Sequence, residues 1–237
     1  MPEDWFAGPV AERYDARLGS WGDPALVAAT ADFLAAVARD GAALELGIGT
    51  GRIALPVAER GVCVHGIDLS PDMVAQLRAK PGGGEIPVAI GDFSTTRVDG
   101  TFALVYVVFN TILNLTTQDA QVACFENAAA HLEPGGCFVV EVGVTGDAPL
   151  SVFDLSDSHV GVDEYDAATQ RLVSHHFSLV EGRWERLSVP FRSVSPGELD
   201  LMARIAGLRL RERWSGWRRE PFTSDSTKHV SVWEKPS

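Results

Sequence analysis

The chain has 237 residues, enough for one α/β domain with an added subdomain. Hydrophobic residues make up 46% and charged residues 22%, which is ordinary for a globular protein and excludes a disordered or fibrous class. The formal net charge of −12 would repel a phosphate backbone, so we expect no nucleic-acid partner.

Membrane and metal partners are also disfavoured by the sequence. The longest apolar run, residues 102–109, is too short to cross a bilayer, and the acidic Glu3-Asp4 start lacks the features of a signal peptide. The cysteines show no CxxC spacing, so nothing indicates zinc. We therefore expect a cytoplasmic protein with no membrane partner and no metal, either a monomer or a homodimer.

From residue 23 the chain alternates helical and strand patterns, which predicts a parallel sheet with helices on both faces. Asp23-Pro24 is typical of a helix start, and we expect that helix to end at Gly41. Pro56 is expected to kink the next helix. Further helices are predicted from Ser70 and over residues 117–132, and parallel strands over residues 42–46, 62–67, 86–90, 102–109 and 137–142.

After residue 142 the rhythm changes. Three β-like runs, residues 160–165, 172–180 and 184–194, predict an antiparallel insertion after the fifth strand. Ser195 and Glu198 form a capping-box pattern, which predicts a helix that Gly207 ends before two final strands. The chain thus divides into an N-terminal lid segment (1–22), an α/β core (23–142), a β insertion (143–194) and a C-terminal part that completes the sheet (195–237).

A glycine-rich segment, Glu45-Leu46-Gly47-Ile48-Gly49-Thr50-Gly51, stands where the first buried strand gives way to a helix. Its glycines remove Cβ atoms that would collide with a nucleotide-like ligand, although a tight turn alone could also require them. A dinucleotide fingerprint needs Gly or Ala at the position that Arg52 occupies, so the pattern disfavours NAD and FAD.

Aspartates follow at the ends of the next two predicted strands. Asp68 is placed to accept hydrogen bonds from both hydroxyls of a ribose. Asp92 is placed to accept from an adenine amino group, with Phe93 and Met73 as apolar ring neighbours. Either aspartate alone could cap a turn, but together with the glycine-rich segment they indicate an adenosine ligand.

These segments resemble the class I S-adenosylmethionine-dependent methyltransferases. The glycine-rich segment is similar to the first motif of that family, Gly66-Ile67-Asp68-Leu69-Ser70 to its second, Gly91-Asp92-Phe93 to its third, and residues 132–136 to the turn before its fifth strand. The resemblance implies a doubly wound, Rossmann-like sheet of seven strands, whose last strand, residues 229–234, is antiparallel. It also implies the cofactor S-adenosyl-L-methionine, held by Tyr14, Glu45, Gly47, Gly49, Thr50, Gly51, Asp68, Leu69, Met73, Asp92, Phe93 and Phe109.

Within that family, Tyr14-Asp15 and the inserted strands are similar to amino-sugar N-methyltransferases of antibiotic pathways. Phe109-Asn110-Thr111-Ile112 replaces the Asn/Asp-Pro-Pro-Tyr signature of the enzymes that methylate nucleobase or amide nitrogens. Asn110 also stands where metal-dependent members have an aspartate. The resemblance therefore implies metal-independent methylation of an O or N atom of a small molecule. Another reaction on the same cofactor, or a non-catalytic cofactor-binding protein, is the alternative.

Two residues are candidates for catalysis, His175 and Tyr14. His175 alternates with Val173 and Phe177 on one face of its predicted strand, so we expect it to face inward as a general base and His176 to face away. Tyr14 is expected to act in the lid beside Trp21. A buried structural histidine and ordinary aromatic packing are the alternative roles.

Overall fold

A seven-stranded sheet forms the centre of the fold, and the chain adds a separate four-stranded sheet. The computed structural model describes residues 3–146 and 148–237, apart from the side chain of Ser20. The strands are Ala43–Leu46 (β1), Val64–Asp68 (β2), Val88–Ile90 (β3), Phe102–Val107 (β4), Leu132–Gly143 (β5), Leu150–Leu155 (β6), His159–Asp166 (β7), Arg171–Val180 (β8), Arg183–Arg192 (β9), Arg209–Trp214 (β10) and Lys228–Glu234 (β11). The α-helices are Pro9–Arg13 (α1), Pro24–Ala38 (α2), Ala54–Ala58 (α3), Pro71–Arg78 (α4), Gln118–His131 (α5) and Pro196–Ile205 (α6).

The large sheet has the strand order β10-β11-β5-β4-β1-β2-β3. β1 pairs in parallel with both β2 and β4, and β11 runs antiparallel between β5 and β10. This confirms the predicted doubly wound Rossmann-like sheet with an antiparallel last strand. Because the winding reverses between β1 and β4, a crevice lies beyond the carboxyl ends of these two strands, where open α/β sheets bind their ligands.

The two faces of the large sheet are covered by two hydrophobic clusters. One joins α5 and α6 to the sheet through buried residues such as Phe125, Met202 and Trp233. The other includes Leu34 of α2 and Tyr106 of β4. Burying each large apolar side chain contributes roughly 1.5–3 kcal/mol, so both helical layers are held mainly by these contacts. This burial on both faces explains why β4 reads as a continuous apolar run and why β1 departs from one only at the buried Glu45.

Two expectations for the first helices are wrong. α2 begins as predicted, with the Asp23 side chain accepting from Ala25 N, but it ends at Ala38, followed by Arg39 at φ 55°. Gly41 serves another purpose, because a Cβ atom there would lie 2.4 Å from the Cβ of Ala103. Pro56 is the third residue of the five-residue α3, within the first turn where backbone N–H groups have no intrahelical acceptor, so no kink follows.

Two strands also differ from the prediction. β5 begins at Leu132 rather than at residue 137, because a first bridge between Phe102 and Leu132 precedes a register shift, after which Leu104 pairs with Cys137. β6 was not expected at all. All six of its residues are exposed and it pairs only with β7, so no buried periodicity marks it.

The four-stranded sheet confirms the predicted antiparallel insertion after the fifth strand. Its strands β6, β7, β8 and β9 pair in chain order. At its base, buried Arg192 donates to side-chain oxygens of Gln121 in α5 and Glu198 in α6, which ties the insertion to the core. The capping box of Ser195 and Glu198 then starts α6 as predicted, and Gly207 at φ 78° follows its end.

Candidate active site

The loop after β1 holds three glycines in the left-handed region of backbone space. Gly47, Gly49 and Gly51 have φ values of 74°, 55° and 78°. A Cβ atom on Gly51 would lie 2.3 Å from Leu77 Cδ1, and one on Gly47 would lie 2.5 Å from Thr111 Cγ2. These positions therefore need glycine both for backbone conformation and for the close approach of neighbouring segments.

Asp68, at the end of β2, fixes this loop. Its Oδ2 atom accepts a hydrogen bond from Gly49 N at 2.6 Å, and its Oδ1 atom accepts from Ser70 N at 2.9 Å. Burial raises the pKa of this carboxyl group, and the backbone donors partly oppose that shift. Each carboxylate oxygen keeps further acceptor capacity, which matches the predicted role toward two ribose hydroxyls.

Glu45 lies beneath the loop and accepts a hydrogen bond from the Tyr106 hydroxyl at 2.9 Å. Only 3% of its surface is exposed, and this burial raises the pKa of Glu45 to about 8 although the Tyr106 hydrogen bond and Arg52 oppose the shift. A carboxyl group of this kind binds or releases a proton near neutral pH. A cationic group of a ligand placed beside it would favour the ionised form.

Apolar residues and a second carboxylate surround the other side of the loop. Asp92 Oδ1 accepts from the Ser94 backbone and hydroxyl, while Oδ2 has no hydrogen-bond partner in the described part of the chain. Phe93 and Met73 are buried, and Leu69 is partly buried. The Met73 methyl group lies 3.3 Å from the Cβ position of Gly49, so it borders the loop directly. The structure thus brings together the residues that the three motifs contain.

The N-terminal segment packs against the same loop. Asp15 accepts a hydrogen bond from the Thr50 hydroxyl at 2.6 Å and pairs with Lys80 at 2.5 Å. Arg52 donates to the carbonyl of Trp21 at 3.0 Å. Sequence reasoning did not identify the roles of Asp15 and Lys80, because neither belongs to a motif and their contact joins distant parts of the chain.

Tyr14 lies among charged residues of the site. Burial raises the pKa of Tyr14 to about 12, with Arg52 opposing the shift and the Asp68 carboxylate adding to it. Its phenol is therefore protonated at neutral pH and can donate a hydrogen bond. It does not act as a base there.

Phe109 borders the site through a strained segment after β4. Phe109 and Asn110 have φ values of 59° and 60°, a conformation that costs each non-glycine residue on the order of 1–3 kcal/mol. The buried carboxylate of Glu141 holds the segment by accepting from Phe109 N at 3.1 Å, and Asn110 Oδ1 accepts from Gly143 N at 2.7 Å. The Phe109 ring packs edge-on against Trp21, at 4.8 Å between centroids.

The structure reverses the orientation expected of His175. On one face of β8, Nδ1 of His175 lies within hydrogen-bond distance of Ser188 Oγ, at 2.8 Å. On the opposite face, Ser178 of β8 stands beside Glu185 of β9. Glu185 forms an ion pair with Arg13 of α1 at 3.5 Å, so this opposite face is turned toward the N-terminal segment. His176 lies on this same face of β8, together with Ser178. The sequence pattern favours the more apolar face as the inward one, whereas the face turned toward the N-terminal segment carries polar side chains such as Ser174, His176 and Ser178.

Comparisons with known proteins identify the family. A family model described as "Methyltransferase domain" matches residues 43–136. Over 203 residues, 81% of this chain and 82% of its relative, the sequence is 30% identical to the cypemycin N-terminal methyltransferase of a Streptomyces species. The chain belongs to the S-adenosylmethionine-dependent methyltransferases.

Two further relatives of this chain, like the cypemycin enzyme, come from Streptomyces. The structure of the CcbJ methyltransferase from Streptomyces caelestis is 34% identical with a TM-score of 0.87, and the match covers 99% of this chain and 100% of that one. The dTDP-3-amino-3,4,6-trideoxy-alpha-D-glucopyranose N,N-dimethyltransferase of Streptomyces venezuelae is 31% identical over 138 residues, 56% of this chain and 53% of the relative.

The methyltransferase site fits its cofactor, S-adenosyl-L-methionine. Asp68 could accept hydrogen bonds from the ribose, and Asp92 Oδ2, which has no partner among the described residues, could accept from the adenine amino group. The buried side chains of Met73 and Phe93 could supply apolar walls. Over residues 3–146 and 148–237 no cluster of three or more His, Cys, Asp or Glu has the geometry of a metal site. No helix in the same residues is long and apolar enough to span a membrane.

Proposed function

We propose that this enzyme methylates the amino nitrogen of a small natural-product acceptor, held between the N-terminal segment and the four-stranded sheet. The observation that carries the proposal is the polar face of that sheet, directed toward α1 as the Arg13–Glu185 pair shows. Asp163 and Glu185 place carboxylates on this face, and the chain as a whole carries a charge of −12. Such a surface favours a cationic or amino acceptor over an anionic one.

The named activities of the relatives support the same acceptor class. The cypemycin enzyme is an N-terminal methyltransferase, and the Streptomyces venezuelae enzyme is an N,N-dimethyltransferase of an amino sugar nucleotide. Both act on an amine. We extend to this chain only that shared chemistry, a primary or secondary amine on a small molecule or peptide end.

The chain's residues hold the two reactants in line, without a metal. The bound cofactor supplies a methyl group whose bond to sulfur breaks, with its electron pair kept by sulfur, as the amine lone pair forms the new N–C bond. Positioning of this kind can lower the barrier by roughly 7–11 kcal/mol in favourable cases. Tyr14, protonated because its pKa is raised to about 12, can hydrogen-bond the acceptor from the cofactor side.

The division of the chain into parts follows from this arrangement as part of the proposal. Residues 23–142 bind the cofactor, residues 143–194 select the acceptor, residues 1–22 cover the cleft and residues 195–237 complete the sheet. The described part of residues 1–22 contacts the loop after β1 through Asp15, and the insertion is anchored by Arg192 outside that loop. Acceptor selection can therefore vary without altering the cofactor site.

A screen of matched acceptors tests the proposal. The full chain is incubated with S-adenosylmethionine carrying a deuterated methyl group and with pairs of compounds that differ only in an amino or a hydroxyl group. Mass spectrometry should find the label on nitrogen in the amino member of a pair. Label only on hydroxyl members, or on none, would contradict the amine assignment.

A further inference from the structure

We propose that Asp154, His159 and His176 form a proton relay in the acceptor cleft, with His176 as the residue that takes the proton of the acceptor amine. This inference rests on the proposed function. His176 lies on the face of β8 directed toward α1, whereas His159 and Asp154 lie on the neighbouring strands β7 and β6. None of the three belongs to a cofactor motif.

The three side chains form a continuous chain of contacts. His159 Nδ1 lies 2.5 Å from Asp154 Oδ2, and His159 Nε2 lies 3.2 Å from His176 Nδ1. A register shift between Val152 and Asp154 brings Asp154 opposite Gly161, on the same face as His159. Bulges of this kind often redirect a side chain near a functional site.

Phe153 holds the two histidines from the side. Its ring stands edge-on to His176 at 5.3 Å between centroids and 6.5 Å from His159. Gly161 makes room for that ring, because a Cβ atom there would lie 2.2 Å from Phe153 Cε2. The Phe153 ring, itself 47% exposed, thus packs against one side of the histidine pair.

The hydrogen-bond chain assigns the tautomers. A carboxylate at Asp154 can only accept, so Nδ1 of His159 carries the proton of that bond. In a neutral His159, Nε2 then has a lone pair and accepts from Nδ1 of His176. The proton of a neutral His176 is thus on Nδ1, and its Nε2 atom has a lone pair. Within the described residues this Nε2 atom has no hydrogen-bond partner, so it is free to accept from a substrate.

His176 stays neutral and ready to accept a proton. Burial, together with the neighbouring His159 and Arg17, lowers the pKa of His176 to about 4. An isolated histidine of this kind would be a weak base. In the relay the positive charge does not remain on it, because His176 gains a proton at Nε2 and passes another from Nδ1 to His159, which Asp154 stabilises as a cation.

The proton balance closes without any co-reactant. The N–H bond of the acceptor ammonium breaks, its proton goes to His176 and the electron pair stays on the acceptor nitrogen for bond formation with the methyl group. After the product leaves, water in the cleft removes the Nε2 proton and the shared proton returns from His159 to His176. One proton is released for each methyl group transferred.

Other charged and titratable groups surround the relay and set its electrostatics. On the same face they are Arg13 and Arg17 of the N-terminal segment, Asp163 of β7 and Glu185 of β9. His175 lies next to His176 but on the opposite face of β8. Arg17 disfavours a cation at His176, whereas the relay moves the cation toward Asp154. The location of Asp154 at the far side of His159 is therefore essential to the relay.

The test compares pH profiles of kcat/KM for wild type, His176→Gln, His159→Gln and Asp154→Asn, with an amine acceptor that is mostly protonated at pH 7. Asp157→Asn, an exposed carboxylate between β6 and β7, is the matched control for Asp154→Asn. Without its base, His176→Gln should lose roughly 10²–10⁴-fold activity at neutral pH. The deficit should shrink toward the pKa of the acceptor, because a free amine needs no base. His159→Gln and Asp154→Asn should show the same pattern more weakly.

Parallel profiles of wild type and His176→Gln at every pH would overturn the relay while the proposed function stands. If His176→Gln does not fold, parallel profiles of His159→Gln and Asp154→Asn would overturn it instead. Loss of low-pH activity in His175→Gln but not in His176→Gln would likewise overturn it, in favour of His175. A wild-type enzyme that methylates no amine would overturn the proposed function itself. Calorimetry with S-adenosylhomocysteine should show nearly unchanged cofactor binding in all these variants.

Discussion

Oδ2 of Asp68 lies 2.6 Å from the backbone nitrogen of Gly49, so the carboxylate at the end of β2 fixes the middle glycine of the loop after β1. This contact joins the end of β2 to the loop through the residue that we propose binds the ribose. The interaction also explains how a buried carboxylate is retained, since backbone N–H groups replace its lost water.

Replacing Asp68 with alanine should weaken cofactor binding by roughly 1–3 kcal/mol, because two ribose hydroxyls lose their buried acceptor. Calorimetric titration with S-adenosylmethionine and S-adenosylhomocysteine measures this loss, and NAD should not bind to the wild type. Asp40→Ala, at an exposed carboxylate just after α2, is the control. A folded Asp68→Ala protein with wild-type affinity would refute the assignment.

The contribution of Glu45 to the stability of the cofactor-free protein should be lost as pH rises from about 4.5 to about 8. Folded Glu45, with its pKa raised to about 8, keeps its proton across this range, while an unfolded glutamate has already lost it. At this group the folded state thus binds more protons than the unfolded state, whereas His176 and His229, whose pKa values burial lowers to about 4, act in the opposite direction below about pH 6.5. Asp68, whose pKa is also raised, acts in the same direction as Glu45 at the acidic end.

Glu45→Gln should lack this contribution, because an amide does not titrate, so its free energy of unfolding should gain on that of the wild type as pH rises toward 8. Urea unfolding at a series of pH values gives the free energy of unfolding of each variant, with exposed Glu59→Gln as the control. An equal slope in wild type and Glu45→Gln would show that Glu45 does not carry a raised pKa.

Tyr14→Phe should lower kcat/KM by roughly the value of one hydrogen bond, about 0.5–1.5 kcal/mol, without changing the shape of the pH profile. The reason is that the pKa of Tyr14, raised to about 12, keeps the wild-type phenol protonated over the assay range, and Tyr14→Phe has no group that titrates there. Profiles over about pH 6–10 test this, since they cover the ordinary tyrosine range. A rising limb present in wild type and absent in Tyr14→Phe would identify a phenolate base instead.

Turnover with an amine acceptor should survive chelation by EDTA. Methyl transfer from a sulfonium has a good leaving group, and Asn110, which accepts from Gly143 N, stands where metal-dependent members of the family have an aspartate. Assays with EDTA, and with EDTA followed by excess magnesium, check this. Activity that disappears with EDTA and returns with magnesium would show that the reaction needs a metal.

The core strands could be predicted because burial on both faces leaves a local signal. β1 and β4 are almost wholly buried, and the caps at Asp23 and Ser195 are local hydrogen bonds between residues close in sequence. β6 gave no such signal, because all six of its residues are exposed and no alternation of buried and exposed positions marks it as a strand. Long-range contacts such as Asp15 with Thr50 also left none, since they depend on the final arrangement of the chain.

The two adjacent histidines show a second limit of sequence reasoning. Alternation correctly places His175 and His176 on opposite faces of β8, but it does not say which face is directed at the site. The more apolar face would be inward in a packed core. Here the polar face with His176 is the one turned toward the N-terminal segment, because Glu185 on that face pairs with Arg13 of α1.

Transfer of a methyl group from S-adenosylmethionine to an acceptor amine by this chain can be tested by one stoichiometric measurement. The enzyme is mixed with a cofactor labelled in the methyl group and with the best amine of the screen, and S-adenosylhomocysteine and labelled product are quantified in the same samples. We predict equal amounts of the two products, with the label on the acceptor nitrogen. Formation of S-adenosylhomocysteine without labelled amine, or tight cofactor binding with neither product, would contradict the account and indicate another reaction or a non-catalytic binding protein.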